Sequence, residues 1–143
     1  MHPHEGIGMA SHRVLVVTGT GGRVSGALRR TSSVLISNVE ALVVRAWSVR
    51  PLGWYGQDED DRDLDQRIVE FVRQKGIQAV VAASVTCDLR HMLDALRIPV
   101  FERRGISACA AAVSAAAVLL FMESTARGAS STRRHAEWVC REE

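Results

Sequence analysis

The sequence predicts an α/β domain in three layers, a mixed five-stranded sheet with helices packed on its faces. Three observations predict it. Short apolar runs of the kind that fill buried strands recur five times along the chain. Between and after the later runs, apolar residues repeat at the spacing of one helical face. The first three runs follow one another with no room for a crossover helix, so adjacent strands there are antiparallel, while the later ones are separated by helical stretches and read as parallel βαβ units. The predicted order is β-β-β-α-β-α-β-α.

The elements follow in turn. Residues 1–12 hold three His, two Gly and one Pro without periodicity, and read as a flexible tail. Arg13–Thr18 (RVLVVT) is a continuous apolar run and the first strand, closed by a turn at Gly19, Gly21 and Gly22. Ser33–Asn38 and Ala41–Val49 are the second and third strands, with Asn38-Val39-Glu40 as the turn between them and Trp47 in the core. The loop Pro51–Asp61 holds Trp54 and Tyr55, a candidate partner contact, and then an acidic run. Arg62–Lys75 places Leu64, Ile68, Phe71 and Val72 on one helical face, with Gly76 as its C-cap. Ile77–Ala83 is the fourth strand and Ser84–Thr86 a turn. Cys87–Arg97 is the second helix, with Leu89, Met92, Leu93 and Leu96 on one face. Ile98–Phe101 is the fifth strand, and Ile106–Met122 is the third helix, with Cys109 as packing. Residues 123–143 read as a linker and a charged tail, so the domain proper is 13–122.

Composition narrows the function classes. The chain has 143 residues, a length that buries a core without staples. A net charge of +2 is too small to argue for nucleic acid or an anionic membrane. Three widely spaced cysteines, Cys87, Cys109 and Cys140, make no disulfide framework, and the N-terminus has no signal-peptide pattern, so a reducing, cytoplasmic location is expected. The uncharged stretch Ile106–Met122 would span about 25 Å as a helix, short of the roughly 30 Å hydrocarbon core, and is expected to pack in the domain rather than cross a membrane.

One constellation carries chemistry. Cys87 and His91 form C-x-x-x-H at the start of a helix, and the i, i+4 spacing sets both on one face. A thiolate and an imidazole suit zinc or an iron–sulfur species, but a tetrahedral site needs more ligands, from His12, His135, Cys140 or a second subunit. Ser84–Cys87 lies at the carboxyl end of a strand, where α/β sheets bind ligands. The turn Gly19, Gly21, Gly22, with Ser25 after it, offers backbone N–H groups to an anionic cluster or phosphate. Together, Gly19, Gly21, Gly22, Ser25, Ser84 and Thr86 are the candidate ligand-binding residues, and Cys87 and His91 the candidate metal ligands. The glycine turn lacks the Lys-Ser/Thr of a phosphate-binding P-loop, and the distance to the next strand is too short for a dinucleotide fold. The pairs Arg29-Arg30, Arg103-Arg104 and Arg133-Arg134 read as solvated surface. Cys87 as nucleophile with His91 as base lacks a third orienting group, so the chain reads as a carrier or scaffold rather than an enzyme.

Four segments resemble the dinitrogenase iron–molybdenum cofactor biosynthesis family, the NifX-like proteins. Arg13–Thr18 with its glycine turn and Val24-Ser25 is similar to the family's opening strand and V-S step. Val34-Leu35-Ile36 stands where its second strand begins, Ala79-Val80-Val81 before Ser84-Val85-Thr86 where it has a strand and a Gly-x-Gly turn, and Leu93–Val100 (LDALRIPV) where it closes with L…GI.V. The resemblance implies a ribonuclease-H-like fold. It also implies a non-catalytic protein that carries an iron–sulfur or iron–molybdenum cluster, exchanging it with cluster donor or acceptor proteins, with a homodimer as a further expectation. A nuclease would need carboxylates converging on the sheet, and the first strand has none. This chain departs from the family where ligands would sit. Ala27-Leu28-Arg29 replaces a His-Phe-Gly triplet, Ser84-Val85-Thr86 replaces Gly-x-Gly, and Arg97 replaces the Gly of GI.V. The alternative implied by these losses is a protein-interaction module that keeps the fold without the cluster.

Overall fold

A computed structural model of the chain describes residues 11–52 and 61–128. Five strands form one sheet: β1 (Ser11–Val16), β2 (Ser33–Glu40), β3 (Val43–Pro51), β4 (Ala79–Ala82) and β5 (Val100–Glu102). Their spatial order is β3-β2-β1-β4-β5. β1 pairs antiparallel with β2 and parallel with β4, β2 pairs antiparallel with β3, and β4 pairs parallel with β5. Helices α1 (Asp61–Gln74), α2 (Cys87–Ala95) and α3 (Ala108–Gly128) complete the predicted element order.

The alternation of side chains along β1 builds two cores. Leu15 and Val17 point to one face and join Ile36, Ile68, Val72, Val80, Leu89 and Leu93 beneath α1 and α2. Val14 and Val16 point to the other and join Val24, Val39, Val81 and the alanines Ala108, Ala111, Ala112, Ala115 and Ala116 of α3. The helices of the first face thus contribute branched side chains, whereas α3 contributes mainly alanine methyl groups packed on the valines of the sheet. This is the mixed, three-layer α/β fold that the sequence predicts.

Both helices on the branched face end in the same device. At α1, Ile77 N–H donates to Val72 O and Gly76 N–H to Arg73 O, a Schellman motif with Gly76 in the left-handed region at φ 68°. At α2, Ile98 N–H donates to Leu93 O and Arg97 N–H to Asp94 O, with Arg97 at φ 64°. Arg97 thus holds the backbone conformation for which the resembled signature supplies glycine.

Several expectations need correction. The hairpin turn is Ala41-Leu42 and not Asn38–Glu40. Glu40 still pairs with Val43, and Ala41 and Leu42 take φ 50° and 64°. Asn38 stays in the strand because its Oδ1 accepts from Arg13 Nε at 3.2 Å. The first strand starts at Ser11, so His12 is no tail residue. It is buried, and its Nε2 donates to Glu123 Oε2 at 3.0 Å. Glu123 belongs to α3, which runs on to Gly128, into the stretch expected to be linker. Trp47 is exposed on β3, since α3 packs chiefly on β1 and β4 and meets β3 only in part. Cys109 is exposed on α3 and is not packing.

Candidate functional site

The candidate residues gather at the carboxyl ends of β1 and β4, which lie side by side. The chain leaving β1 makes two stitches there. The first is to the β5–α3 loop: Val24 N–H donates to Ile106 O at 2.8 Å and Gly105 N–H to Val24 O at 2.9 Å. The second is to the β4–α2 loop: Ala83 N–H donates to Gly26 O at 3.0 Å and Leu28 N–H to Ser84 O at 3.3 Å, with Ala27 and Ser84 bridged in parallel. The glycine turn is thus tied to the far side, beside Gly105–Ser107, and the segment Gly26–Leu28 stands between it and Ser84. The turn itself is a single 3-10 step, Thr20–Gly22, with Gly21 and Gly22 at φ 85° and 72°. Gly19 lies so close to Ser25 Oγ that a side chain there would collide with it.

Ser84-Val85-Thr86 is braced from both sides by charged residues that sequence reasoning missed. Thr86 caps α2, its Oγ1 accepting from Leu89 N–H at 3.4 Å. The same oxygen accepts from Arg29 Nη2 at 3.2 Å. Arg29 in turn makes a two-pronged pair with Asp65, Nε to Oδ1 at 3.0 Å and Nη2 to Oδ2 at 2.8 Å. Asp65 is buried, so Arg29 is turned inward and is not the solvated surface arginine the sequence reading expected. On the other side Glu102 Oε2 accepts from Val85 N–H at 3.2 Å and pairs with Arg90 Nη2 at 2.8 Å. The signal for the first brace was present: Asp65, Ile68 and Val72 share one helical face, and a carboxylate on a core-facing stripe requires a partner. Glu102 carried no such signal, because its partners come from other elements.

Cys87 is the first residue of α2 and is exposed, as is His91 one turn later. Leu89 and Leu93 hold the opposite face of the helix in the core. The spacing leaves the two donors roughly 5–6 Å apart at Cβ, within reach of one shared metal. Among the described residues there is no group of three or more His, Cys, Asp or Glu that could hold a metal ion. His12 does not complete a set, since it lies at the opposite end of β1 and is engaged by Glu123. His135 and Cys140 fall outside the described residues, as do Trp54 and Tyr55. Two donors do not make a closed tetrahedral site, so these residues do not fit a resident chelated metal. At the places of the family's His-Phe-Gly, Leu28 fills the core at 1% exposure, as an aromatic ring would, while Ala27 stands beside Ser84 without a donor.

Two grooves lie elsewhere. One runs between β5 and α3, lined by Val81, Phe101, Ile106 and Val118 with Arg103. The other lies toward the amino end of β1, with Arg13, Asn38, Arg50 and Lys75 in its lining.

Comparison with solved structures bears on the fold. No protein-family model and no curated protein matches the chain. Among solved structures, the crystal structure of PH0822 superposes with a TM-score of 0.57 at 16% identity, covering 71% of this chain and 90% of that one. A Thermotoga protein of the DUF35 family, TM1290, provisionally named NifB, superposes with a TM-score of 0.52 at 18% identity, covering 72% and 87%. The chain has their fold. A Methanococcus jannaschii protein, MJ0327, provisionally named a dinitrogenase, overlaps less closely, with a TM-score of 0.48 at 11% identity over 69% of this chain and 81% of that one. The resemblance read from the four sequence segments therefore leads to the right architecture.

Proposed function

We propose that this chain is a small, non-catalytic binding protein of the iron–molybdenum cofactor biosynthesis type, carrying a preassembled metal cluster as cargo at the carboxyl ends of β1 and β4. The observation that carries the reading is the pairing of exposed Cys87 with exposed His91 on a helix start held by two independent ion-pair braces. A thiolate and an imidazole on a fixed turn match a cargo that brings its remaining ligands with it, where a closed site would hold it too long to pass on. Cluster donor and acceptor proteins are the expected partners, in a reducing cytoplasm; the Gly19 and Ser25 N–H groups already donate to Arg23 O and Val17 O, so the cargo is held from the β4–α2 side.

The test is anaerobic incubation with iron and sulfide, followed by visible absorption and elemental analysis. Charge-transfer bands that vanish in Cys87→Ala and weaken in His91→Ala are expected. Ala27→His restores a donor beside Ser84 and is expected to raise iron retention. No bands and no retained iron in any of these proteins overturns the cargo reading. One observation favours a second reading, a protein-interaction module without a cluster. The Val85 N–H, in the turn where the family has Gly-x-Gly, is already taken by the Glu102 carboxylate, which also places negative charge where an anionic cluster would approach. Metal-free protein that still captures a cofactor-assembly protein would support it.

A further inference from the structure

Helix α3 has no charged side chain from Ala108 to Met122, yet the described residues cover only one of its faces. Ala108, Ala111, Ala112, Ala115, Ala116 and Leu119 lie on the sheet. A helix that is apolar all round is ordinarily buried all round. Here only 33% of the window Ala108–Thr125 is buried. Ala110, Ser114, Ala117 and Phe121 are exposed, and they recur at intervals of four, three and four, the seam spacing of a helix pair. Phe121 is 67% exposed, with Val118 and Met122 exposed beside it.

We propose that the outer face of α3 is a homodimer surface, on which a second copy of the chain lays its own α3 antiparallel to the first. The seam is self-complementary when read in reverse. A two-fold axis between Ser114 and Ala117 sets the Phe121 ring over the partner's Ala110, and Ser114 against the partner's Ala117, so each bulky group meets a methyl. Charge argues for a copy over a different partner: a charged protein surface would strand its charges on this neutral seam, while the seam of a second copy brings none and leaves Arg103 beside it at the β5–α3 groove. Area fits a weak, reversible association. The apolar stretch Ala108–Met122 is about 22 Å long and 10 Å across, so its outer half presents roughly 350 Å², and two copies bury at most about 700 Å² in total. Cys87 and His91 sit on the opposite side of the sheet, so both copies keep their candidate sites open.

Sedimentation equilibrium of the full chain over a rising concentration series tests this. A reversible monomer–dimer equilibrium is expected, weakened roughly 30-fold or more in Ala117→Glu, the loss a central interface residue gives. Phe121→Ala, which removes only an exposed ring, is expected to weaken it as well, with both variants keeping the wild-type circular dichroism spectrum. A wild-type chain that stays monomeric throughout overturns the proposal, as does a folded Ala117→Glu protein that dimerises as the wild type does. Flotation of the wild type with phosphatidylcholine vesicles, lost in Ala117→Glu, would also overturn it and assign the face to a lipid surface.

Discussion

Arg97 and Asp65 show how single positions carry the fold. Arg97 occupies a left-handed conformation that costs a residue with a side chain about 1–2 kcal/mol. Glycine escapes that penalty but has a freer unfolded chain. Arg97→Gly is therefore expected to stabilise the protein by about 0.5–1 kcal/mol, read as a higher urea midpoint at unchanged slope. Asp65→Asn has the opposite outcome. It takes the two-pronged carboxylate partner away from the Arg29 guanidinium, which is 17% exposed. A loss of about 3 kcal/mol is expected in the same measurement, at the low end for broken buried pairs because Arg29 keeps some solvent. Asp65 was visible in the sequence as a carboxylate on an apolar stripe, but its partner was not, because 36 residues of chain separate it from Arg29. His12 was hidden for the same reason: its partner Glu123 lies 111 positions away.

Periodic elements were legible in sequence and their joints were not. Helices α1 and α2 begin and end within two residues of the stretches that apolar spacing marks out. The β2–β3 turn was misplaced because Ala41-Leu42 carries none of the Asn-Gly chemistry that a two-residue turn with two positive φ values prefers. Replacing the pair by Asn-Gly is expected to raise stability by about 1 kcal/mol, checked by thermal melting. The limits of α3 were also hidden, since an alanine-rich stretch has a weak face signal. Ala112 lies fully buried against the sheet, away from the groove that Ala111 and Ala115 line. Ala112→Leu is expected to cost about 1–3 kcal/mol through overpacking, although leucine is nearly as good a helix former. A melting temperature unchanged by this substitution would mean that the alanine layer is loosely packed.

At the scale of the whole molecule, the two faces of the sheet differ in kind. Branched side chains lock α1 and α2 to one side, while α3 rests on methyl groups, which bury less apolar area per residue. Native-state hydrogen exchange is expected to be slowest at Val14–Val16 of β1 and at β4, with α3 amides exchanging sooner; α3 outlasting β1 would contradict this. The topology was readable because strand spacing dictates it, whereas the candidate site depends on contacts among four loops that no local pattern reports.

The central position of β1 has a consequence for biogenesis. Of the five strands it is synthesised first, finds its antiparallel partners 19 to 29 positions later, but must wait for residues 79–81 before its other side is closed. Until then a nascent chain offers the open margin of Val14, Leu15 and Val16 to any extended polypeptide nearby. Chaperones that shield short apolar segments would meet this protein at that interval, and ribosomes stalled before β4 is made should yield the most aggregation-prone nascent chains.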